Sequence, residues 1–388
     1  MTRPIYLDYN ATTPHAPEVI EAMRPFLEEH FGNPSSAHWY GQVAREAVEQ
    51  ARAQVAALLN CSRNEVIFTS GGTESNNFAI QGIARARRDQ GRHIITTQIE
   101  HPAVTAVCER LQQEGCGVTY IPVNAQGLAD SAEVERVIRP DTILITVMHA
   151  NNEVGTVQPV EAIGRLARSR GIAFHTDAAQ SAGKIPVDVQ AISADLLSLA
   201  GHKLYAPKGV GVLYVRTGVA VEPWMLGAGQ EDGRRAGTEN VLEIVGLGKA
   251  CEIALRDLAS NADHMRCMRD RLEQGLIERI PNVRLNGLLE QRLPNTSSLS
   301  FEGVAAEALL IEIQEKIAAS AGAACHSGHV RISHVLRAMQ VPENWAKGTM
   351  RFSTGRNTSD SDIDRAVDIV SAAVFRLRAA QEFPWTAK

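Results

Sequence analysis

Two glycines stand between a predicted strand and a predicted helix in residues 69–77 (TSGGTESNN). Glycine lets backbone N–H groups approach a ligand closely, and a helix N-terminus favours an anion. The N–H groups of Gly72 and Thr73 could therefore hold a phosphate. The alternative is an ordinary turn in which Thr73 caps the helix. The segment contains neither the GKS/T of a nucleotide-hydrolysing P-loop nor a GxGxxG, so it predicts neither of those nucleotide sites.

Two ionisable side chains follow predicted strands farther along the chain. Asp177 ends the strand in residues 172–177, and ligands of open α/β sheets bind at such carboxyl ends. A carboxylate there could pair with a protonated heterocyclic nitrogen, or it could simply cap the next helix. Lys203 lies in the loop after the strand in residues 195–199, where a desolvated lysine could form a Schiff base with an aldehyde. The alternative for Lys203 is an exposed loop lysine, as we expect for Lys208.

These three features together are far more specific than any one of them. A phosphate cradle, an acid for a pyridine nitrogen and an imine-forming lysine are the groups that pyridoxal 5'-phosphate requires. The sequence therefore predicts pyridoxal 5'-phosphate as the cofactor.

One cysteine has surroundings suited to a nucleophile. The chain has six cysteines and no CxxC pair, which argues against a zinc site, a thioredoxin motif or a disulfide scaffold; they stand at positions 61, 108, 116, 251, 267 and 325. Small residues surround Cys325 in residues 319–336, a polar stretch that predicts a mobile loop able to bring a thiol into a site. His326 and His329 could help to form the thiolate. The alternative, a small buried cysteine, is what we expect of the other five.

The elements that must position these residues alternate between strand and helix. Residues 15–255 predict a large domain with a mainly parallel sheet and helices on both faces, because strand-sized apolar runs are separated by helical patterns. The predicted strands are residues 65–69, 93–97, 118–122, 142–148, 172–177, 195–199 and 209–215. A long helix over residues 252–280 links this domain to a smaller α+β domain, formed by residues 1–14 and 256–388.

Composition and charge exclude several classes of function. The chain has 388 residues and a net charge of −5, so its net charge provides no overall electrostatic attraction to nucleic acid or to an anionic membrane. The apolar runs are of strand length, which predicts no transmembrane span. The N-terminal MTRPIYLDYN lacks the apolar core of a signal peptide, and we therefore expect a cytoplasmic protein.

At this point the chain resembles the fold-type-I pyridoxal-phosphate enzymes, and among them the NifS/IscS cysteine desulfurases and their relatives, the selenocysteine lyases. The resemblance covers nearly the whole chain in the family's order. The motifs that carry it are residues 6–14 (YLDYNATTP), 31–36 (FGNPSS), 69–77, 99–104 (IEHPAV), 149–156 (HANNEVGT), 175–180 (HTDAAQ), 201–209 (GHKLYAPKG), 234–240 (RRAGTEN), 292–296 (RLPNT), 323–327 (AACHS) and 351–356 (RFSTGR).

The resemblance implies a role for each matching residue around the cofactor. Lys203 would bind the cofactor covalently and act as the base at the substrate's Cα, and Asp177 would keep the ring nitrogen protonated. His101 would stack on the ring and shuttle protons, although a buried structural histidine is the alternative. The ring oxygen would be held by Asn152 and Gln180, and the phosphate by Gly72, Thr73 and His202. Thr238 would reach the phosphate of a partner subunit, which implies a homodimer with shared sites.

The same resemblance implies the reaction. Arg351, together with Asn152, would bind the carboxylate of L-cysteine, while Arg356 is expected to be structural. Cys325 would attack the substrate sulfur, carry it as a persulfide and pass it to an acceptor protein, leaving alanine. Another fold-type-I enzyme, such as an aminotransferase, would not need Cys325. A sulfur-carrier scaffold without catalysis would not need the intact cofactor residues.

Two departures leave the choice between sulfur and selenium open. Ala200 stands where the IscS type usually has a serine near the phosphate, so we expect this chain to lack one hydrogen bond to the cofactor and to bind it less tightly. Residues 320–327 (SAGAACHS) replace the usual SGSACTS and resemble animal selenocysteine lyases. The EHPAV of residues 100–104 and the length of the cysteine loop favour L-cysteine over L-selenocysteine as the substrate.

Overall fold

Strands and helices alternate along most of the computed structural model, which describes residues 3–326 and 329–382 and, within them, all side chains except those of 323–331 and 381–382. The strands are β1 (Ile5–Tyr6), β2 (Val66–Thr69), β3 (His93–Thr97), β4 (Gly117–Ile121), β5 (Thr142–Thr146), β6 (Ala173–Asp177), β7 (Leu196–Ala200), β8 (Gly211–Val215), β9 (Val283–Asn286), β10 (Thr296–Phe301), β11 (Ile317–Ala318), β12 (Ser320–Ala321), β13 (Ala323–His326), β14 (His329–Ile332) and β15 (Thr349–Ser353). The α-helices are α1 (Pro17–Glu28), α2 (Trp39–Leu59), α3 (Gly72–Ala86), α4 (Pro102–Gln113), α5 (Ser131–Arg136), α6 (Val160–Ser169), α7 (Val189–Ile192), α8 (Val241–Arg256), α9 (Leu258–Arg279), α10 (Ala306–Ile313), α11 (His334–Ala338), α12 (Glu343–Ala346) and α13 (Asp360–Glu382).

Seven strands form the large sheet, in the order β2-β8-β7-β6-β5-β3-β4. The strands from β7 to β4 run parallel to one another, whereas β8 is antiparallel to both β7 and β2. Every residue of β2, β3, β5, β6, β7 and β8 is buried, as expected of a sheet covered on both faces. The predicted α/β class with a mainly parallel sheet is confirmed, and the carboxyl ends of its parallel strands meet at one edge.

Helices cover both faces of this sheet. On one face, Val48 of α2 and Leu247 of α8 belong to the same buried cluster as Phe174 of β6. On the other face, Phe78 of α3 packs in a cluster that α4 also joins. Helices α2 and α8 approach closely because Gly248 has no side chain, and a Cβ at that position would lie 2.5 Å from the Cα of Ala51. Helices α2 and α8 therefore cover one face of the large sheet, and α3 and α4 cover the other.

A second, smaller sheet has the order β12-β15-β10-β9 and is antiparallel. Its core combines Leu272 of α9, Phe301 of β10 and Val370 of α13 with Ile5 and Leu7 from the start of the chain. This cluster supports the predicted division into residues 15–255 on one side and residues 1–14 with 256–388 on the other. The division itself remains a prediction.

The predicted helix over residues 252–280 is wrong in one respect, because two helices occupy that region. Asp257 separates α8 from α9 with φ −107° and ψ 12°, outside the helical range. The periodic pattern continues across the break, which is why the sequence alone predicts one helix. None of the helices in the described part of the chain is long and apolar enough to cross a membrane.

The backbone around Cys325 forms two short paired strands. β13 is antiparallel to β14, and Cys325 stands opposite Val330. That this segment is a mobile loop stays a prediction. The side chain of Cys325 lies outside the described residues, as do those of His326 and His329.

Candidate active site

A cavity of about 290 Å³ opens at the carboxyl edge of the parallel strands. It is bounded by the start of α3 and by the loops that follow β3, β5, β6 and β7, and Arg351 of β15 closes it from the smaller sheet. The structure brings together in this cavity nine residues that the sequence singles out: Gly72, Thr73, His101, Asn152, Asp177, Gln180, His202, Lys203 and Arg351.

Asp177 is fixed by two hydrogen bonds at the end of β6. Its carboxylate accepts from Asn76 Nδ2 at 2.7 Å and from the backbone N–H of Ala179 at 2.9 Å, and the residue is 7% exposed. Each oxygen keeps a further lone pair, so the carboxylate can accept another hydrogen bond from a group in the cavity.

Lys203 follows β7 on a single turn of 3₁₀ helix, Gly201–Lys203. Its Nζ donates to the backbone carbonyls of Asn10 and Ala11, the latter at 2.8 Å. Burial lowers the pKa of Lys203 to about 8, with help from the positive charge of Arg351 and against the opposing effect of Asp8 and Asp177. The fraction of Lys203 that is an uncharged amine near neutral pH is therefore much larger than for an ordinary exposed lysine, and the uncharged amine is the form that reacts with an aldehyde.

The start of α3 offers free backbone donors to the cavity. The first N–H groups of any helix lack an intrahelical acceptor, and Gly72 and Thr73 are the first two residues of α3. Gly71 precedes them with φ +147°, a conformation that favours glycine. The side chain of Ala200 adjoins this site, since its Cβ lies 3.3 Å from where a Cβ would stand on Gly72. A serine at position 200 would thus have a hydroxyl group beside these donors.

Two histidines in the cavity are held as neutral rings. Burial lowers the pKa of His202 to about 4, and its Nδ1 lies 3.2 Å from Thr12 Oγ1. His101 caps α4, where its Nδ1 accepts from the N–H of Ala103 at 3.1 Å. Desolvation, with repulsion from Lys203 and His334, lowers the pKa of His101 although Asp177 opposes the shift. An uncharged ring at His101 can lie against a flat aromatic group.

Arg351 is held at the cavity by three hydrogen bonds, which use three of its five guanidinium N–H groups. Nη1 donates to the carbonyl of Asn152 at 3.0 Å, while Nη2 donates to Asp8 Oδ1 at 2.9 Å and to Ser320 Oγ at 3.0 Å. The guanidinium is therefore oriented before any substrate arrives. The guanidinium carbon of Arg356 instead lies 4.1 Å from the centre of the Tyr205 ring, which agrees with the structural role expected for Arg356.

Asn10 is a central residue that sequence reasoning missed. It is 1% exposed, and its carbonyl accepts from Gln180 Nε2 at 2.9 Å as well as from Lys203 Nζ. Its side chain accepts from Asn295 Nδ2 at 3.0 Å and donates to Thr296 Oγ1 at 2.7 Å. Residue 10 stands inside the motif YLDYNATTP, which gave a signal for the segment without identifying which side chain matters.

One predicted residue does not line the cavity, and the side chain of another lies outside the described residues. Thr238 is exposed, in a stretch without regular structure before α8, and does not line the cavity of its own chain. The side chain of Cys325 lies outside the described residues. Gln180 lines the cavity, but Nε2 and Oε1 of its amide already bond to Asn10 and Lys184.

These residues fit pyridoxal 5'-phosphate on the chemistry of their donors. The cavity combines a lysine with a lowered pKa, a fixed carboxylate that can accept a further proton donor, and backbone N–H groups at a helix start. The guanidinium of Arg351, which suits a carboxylate, lines the same cavity. An aldehyde, a pyridine nitrogen and a phosphate each find a complementary group there.

Comparisons with known proteins agree with this geometry. Residues 5–366 match the family model Aminotransferase class-V. The chain is 48% identical over 380 residues to a cysteine desulfurase of Trichormus azollae, covering 98% of this chain and 95% of that protein. It is 44% identical over 384 residues to the cysteine desulfurase IscS of Dictyoglomus turgidum, covering 99% and 98%. A solved NifS-like protein superposes with a TM-score of 0.91 and 37% identity, over 96% of this chain and 100% of that one.

Proposed function

Because the chain belongs to the aminotransferase class-V family, we propose that it is a pyridoxal-phosphate-dependent cysteine desulfurase that converts L-cysteine to L-alanine and retains the sulfur on Cys325. The observation that carries the proposal is the position of Lys203 Nζ, in one cavity with the carboxylate of Asp177 and the start of α3. The cofactor, when bound, supplies an electron-withdrawing ring that accepts the electron pair released at the substrate's Cα.

The chain's own residues divide the remaining work. Gly72, Thr73 and His202 would hold the phosphate, Asp177 the ring nitrogen, and Asn152 with Gln180 the ring oxygen. Lys203 Nζ takes the proton from the substrate's Cα, which its lowered pKa favours. His101 would lie against the ring and could return a proton to the product.

Cys325 performs the sulfur transfer in this proposal. Its thiolate forms an S–S bond with the substrate sulfur while the bond from that sulfur to the substrate's Cβ breaks. The electron pair of the broken bond stays with the carbon skeleton, which leaves as L-alanine after protonation. An acceptor protein then takes the sulfur from the persulfide on Cys325.

We assign the carboxylate of the substrate to Arg351, and this gives a first prediction. Arg351→Lys should raise KM for L-cysteine about 10- to 100-fold with a smaller change in kcat, because the planar fork of charge-assisted hydrogen bonds is lost. Steady-state kinetics measure the effect. Arg356→Lys is the matched control and should leave KM unchanged, since Arg356 stacks on Tyr205. An unchanged KM in Arg351→Lys would contradict the assignment.

A homodimer is part of the proposal, supported by the surface of the chain. Thr238 is exposed in a segment that follows the exposed Met225 and Leu226, the latter 90% exposed. A second exposed apolar group consists of Phe31, Trp39 and Tyr40. Surfaces of this kind are typical of contacts between subunits. Sedimentation of the purified protein tests the expectation, and a monomer at micromolar concentration would contradict it.

The proposal also includes a cytoplasmic location and an acceptor protein for the sulfur. The names of the curated relatives favour L-cysteine as the substrate, whereas Ala200 and the sequence AACHS favour L-selenocysteine. Alanine released from the two amino acids in parallel reactions distinguishes them. We expect turnover of L-cysteine, with one added sulfur atom on the Cys325 peptide by mass spectrometry. Turnover of L-selenocysteine alone would contradict the proposal.

A further inference from the structure

A second lysine, Lys184, is buried beside the cofactor lysine and has no part in the reaction described above. It ends the segment FHTDAAQSAGK and is 4% exposed. Its Nζ donates to Asn10 Oδ1 at 3.0 Å and to Gln180 Oε1 at 2.9 Å. No carboxylate among the described side chains forms an ion pair with it, although buried lysines are normally paired with one.

The number of hydrogen bonds agrees with an uncharged amine. A neutral lysine amine has two N–H groups, and Lys184 Nζ makes two hydrogen bonds within the described part of the chain. An ammonium group has three N–H donors, so the third would lack a partner in a buried position. The contacts of Lys184 therefore use both N–H groups of the neutral form, whereas the charged form would leave one N–H group without a partner in the described part of the chain.

The charged groups around Lys184 oppose a proton on it as well. Lys203 and Arg351 are the cations that act on it, and together with burial they lower the pKa of Lys184 well below its ordinary value. Three further titratable side chains line a cavity of about 20 Å³ beside it, and none is a carboxylate: Tyr9, Tyr205 and Arg356.

Hydrogen bonds through Asn10 and Gln180 connect Lys184 with Lys203. Gln180 Oε1 accepts from Lys184, which leaves Gln180 Nε2 to donate to the carbonyl of Asn10 at 2.9 Å. That same carbonyl accepts from Lys203 Nζ. Lys184 thus determines which end of the Gln180 amide faces Asn10, and it holds Asn10 from the side-chain end.

We propose that Lys184 is an uncharged amine that positions Asn10 and Gln180 around Lys203, without adding a positive charge next to the cofactor lysine. It is a positioning residue, since it acts through Asn10 and Gln180 rather than on the substrate. The inference rests on the proposed function only in taking Lys203 as the cofactor lysine.

The test of the neutral amine is the pH dependence of stability in the holoenzyme and its Lys184→Met variant. A lysine that is neutral when folded and charged when unfolded binds more protons in the unfolded state, so folding is favoured as pH rises. The unfolding equilibrium constant of the wild type should therefore fall relative to that of Lys184→Met by about tenfold for each unit of pH increase. Between pH 7 and pH 9 the expected change in this ratio is about 100-fold. Lys208→Met is the control, because Lys208 is exposed and should give a constant difference. A constant difference for Lys184→Met would overturn the inference.

A spectroscopic readout tests the positioning. Lys184→Met removes the two hydrogen bonds that hold Asn10 and Gln180, so the carbonyl of Asn10 should be held less firmly beside Lys203. Because that carbonyl accepts a hydrogen bond from Nζ, it favours the protonated form of Nζ. The pH midpoint of the cofactor absorbance on Lys203 should therefore fall by about half a unit. A rise in the midpoint would mean that a positive charge was removed, and an unchanged midpoint would mean that Lys184 does not act on Lys203; either result overturns the inference. If Lys184→Met does not fold, Lys184→Gln serves instead, since its side chain is uncharged and keeps two N–H donors. The pH dependence of stability expected for Lys184→Gln is the same as for Lys184→Met, but its pH midpoint should stay near that of the wild type. A wild type without any cofactor absorbance would contradict the proposed function instead.

Discussion

Lys203→Ala is expected to abolish turnover and the yellow absorbance of the bound cofactor together. The substitution removes both the amine that reacts with the aldehyde and the base at the substrate's Cα, and each function is worth orders of magnitude in rate. We expect a loss of about 10³-fold or more in kcat/KM, measured as alanine released from L-cysteine. The absorbance spectrum of the same preparation reports attachment of the cofactor.

A nearby lysine supplies the control for this experiment. Lys208 lies five residues farther along the same loop and is exposed, so Lys208→Ala should retain both the absorbance band and the activity. A band that persists in Lys203→Ala would show that another lysine holds the cofactor.

Cys325→Ser is expected to separate cofactor binding from sulfur transfer. The variant should keep the yellow band, because Cys325 takes no part in attaching the cofactor. Desulfuration should fall about 10³-fold or more, since a serine hydroxyl is not ionised near neutral pH and cannot form a persulfide. The measurements are alanine release and the mass of the peptide containing residue 325.

Cys267→Ser is the matched control, because Cys267 is an exposed, free cysteine. It should behave like the wild type in both assays. Full activity in Cys325→Ser would contradict the proposed chemistry and would favour a different reaction of the same fold, such as amino-group transfer.

The sequence predicts the large sheet well because its strands are short apolar runs between helical patterns. The run in residues 93–97 coincides with β3, the run in residues 172–177 begins one residue before β6, and the run in residues 195–199 begins and ends one residue before β7. Strand direction is not encoded in such runs, so the antiparallel orientation of β8 emerges only from the structure. The fold-type-I assignment is confirmed by the family match and by the superposition on the NifS-like protein.

Some residues of the candidate site could likewise be predicted from the sequence, and others could not. Asp177 and Lys203 could be predicted because Asp177 ends a strand and Lys203 follows one, and the carboxyl ends of parallel strands lie at the same edge of the sheet. Asn10 and Lys184 could not, because their contact joins positions 174 residues apart and follows no periodic pattern. The sequence also gives no indication that Asp8 holds Arg351, a contact between residues 343 positions apart. Such contacts arise only when the start of the chain folds against both sheets.

The central claim, that Lys203 is the cofactor lysine, is tested most directly by reducing the holoenzyme with borohydride and mapping the modified peptide by mass spectrometry. Reduction makes the bond between the lysine and the aldehyde permanent, so the modified residue can be identified after digestion. We predict the mass of the reduced cofactor on the peptide that contains Lys203. Modification of Lys184 or Lys208 instead, or of no lysine, would contradict the account.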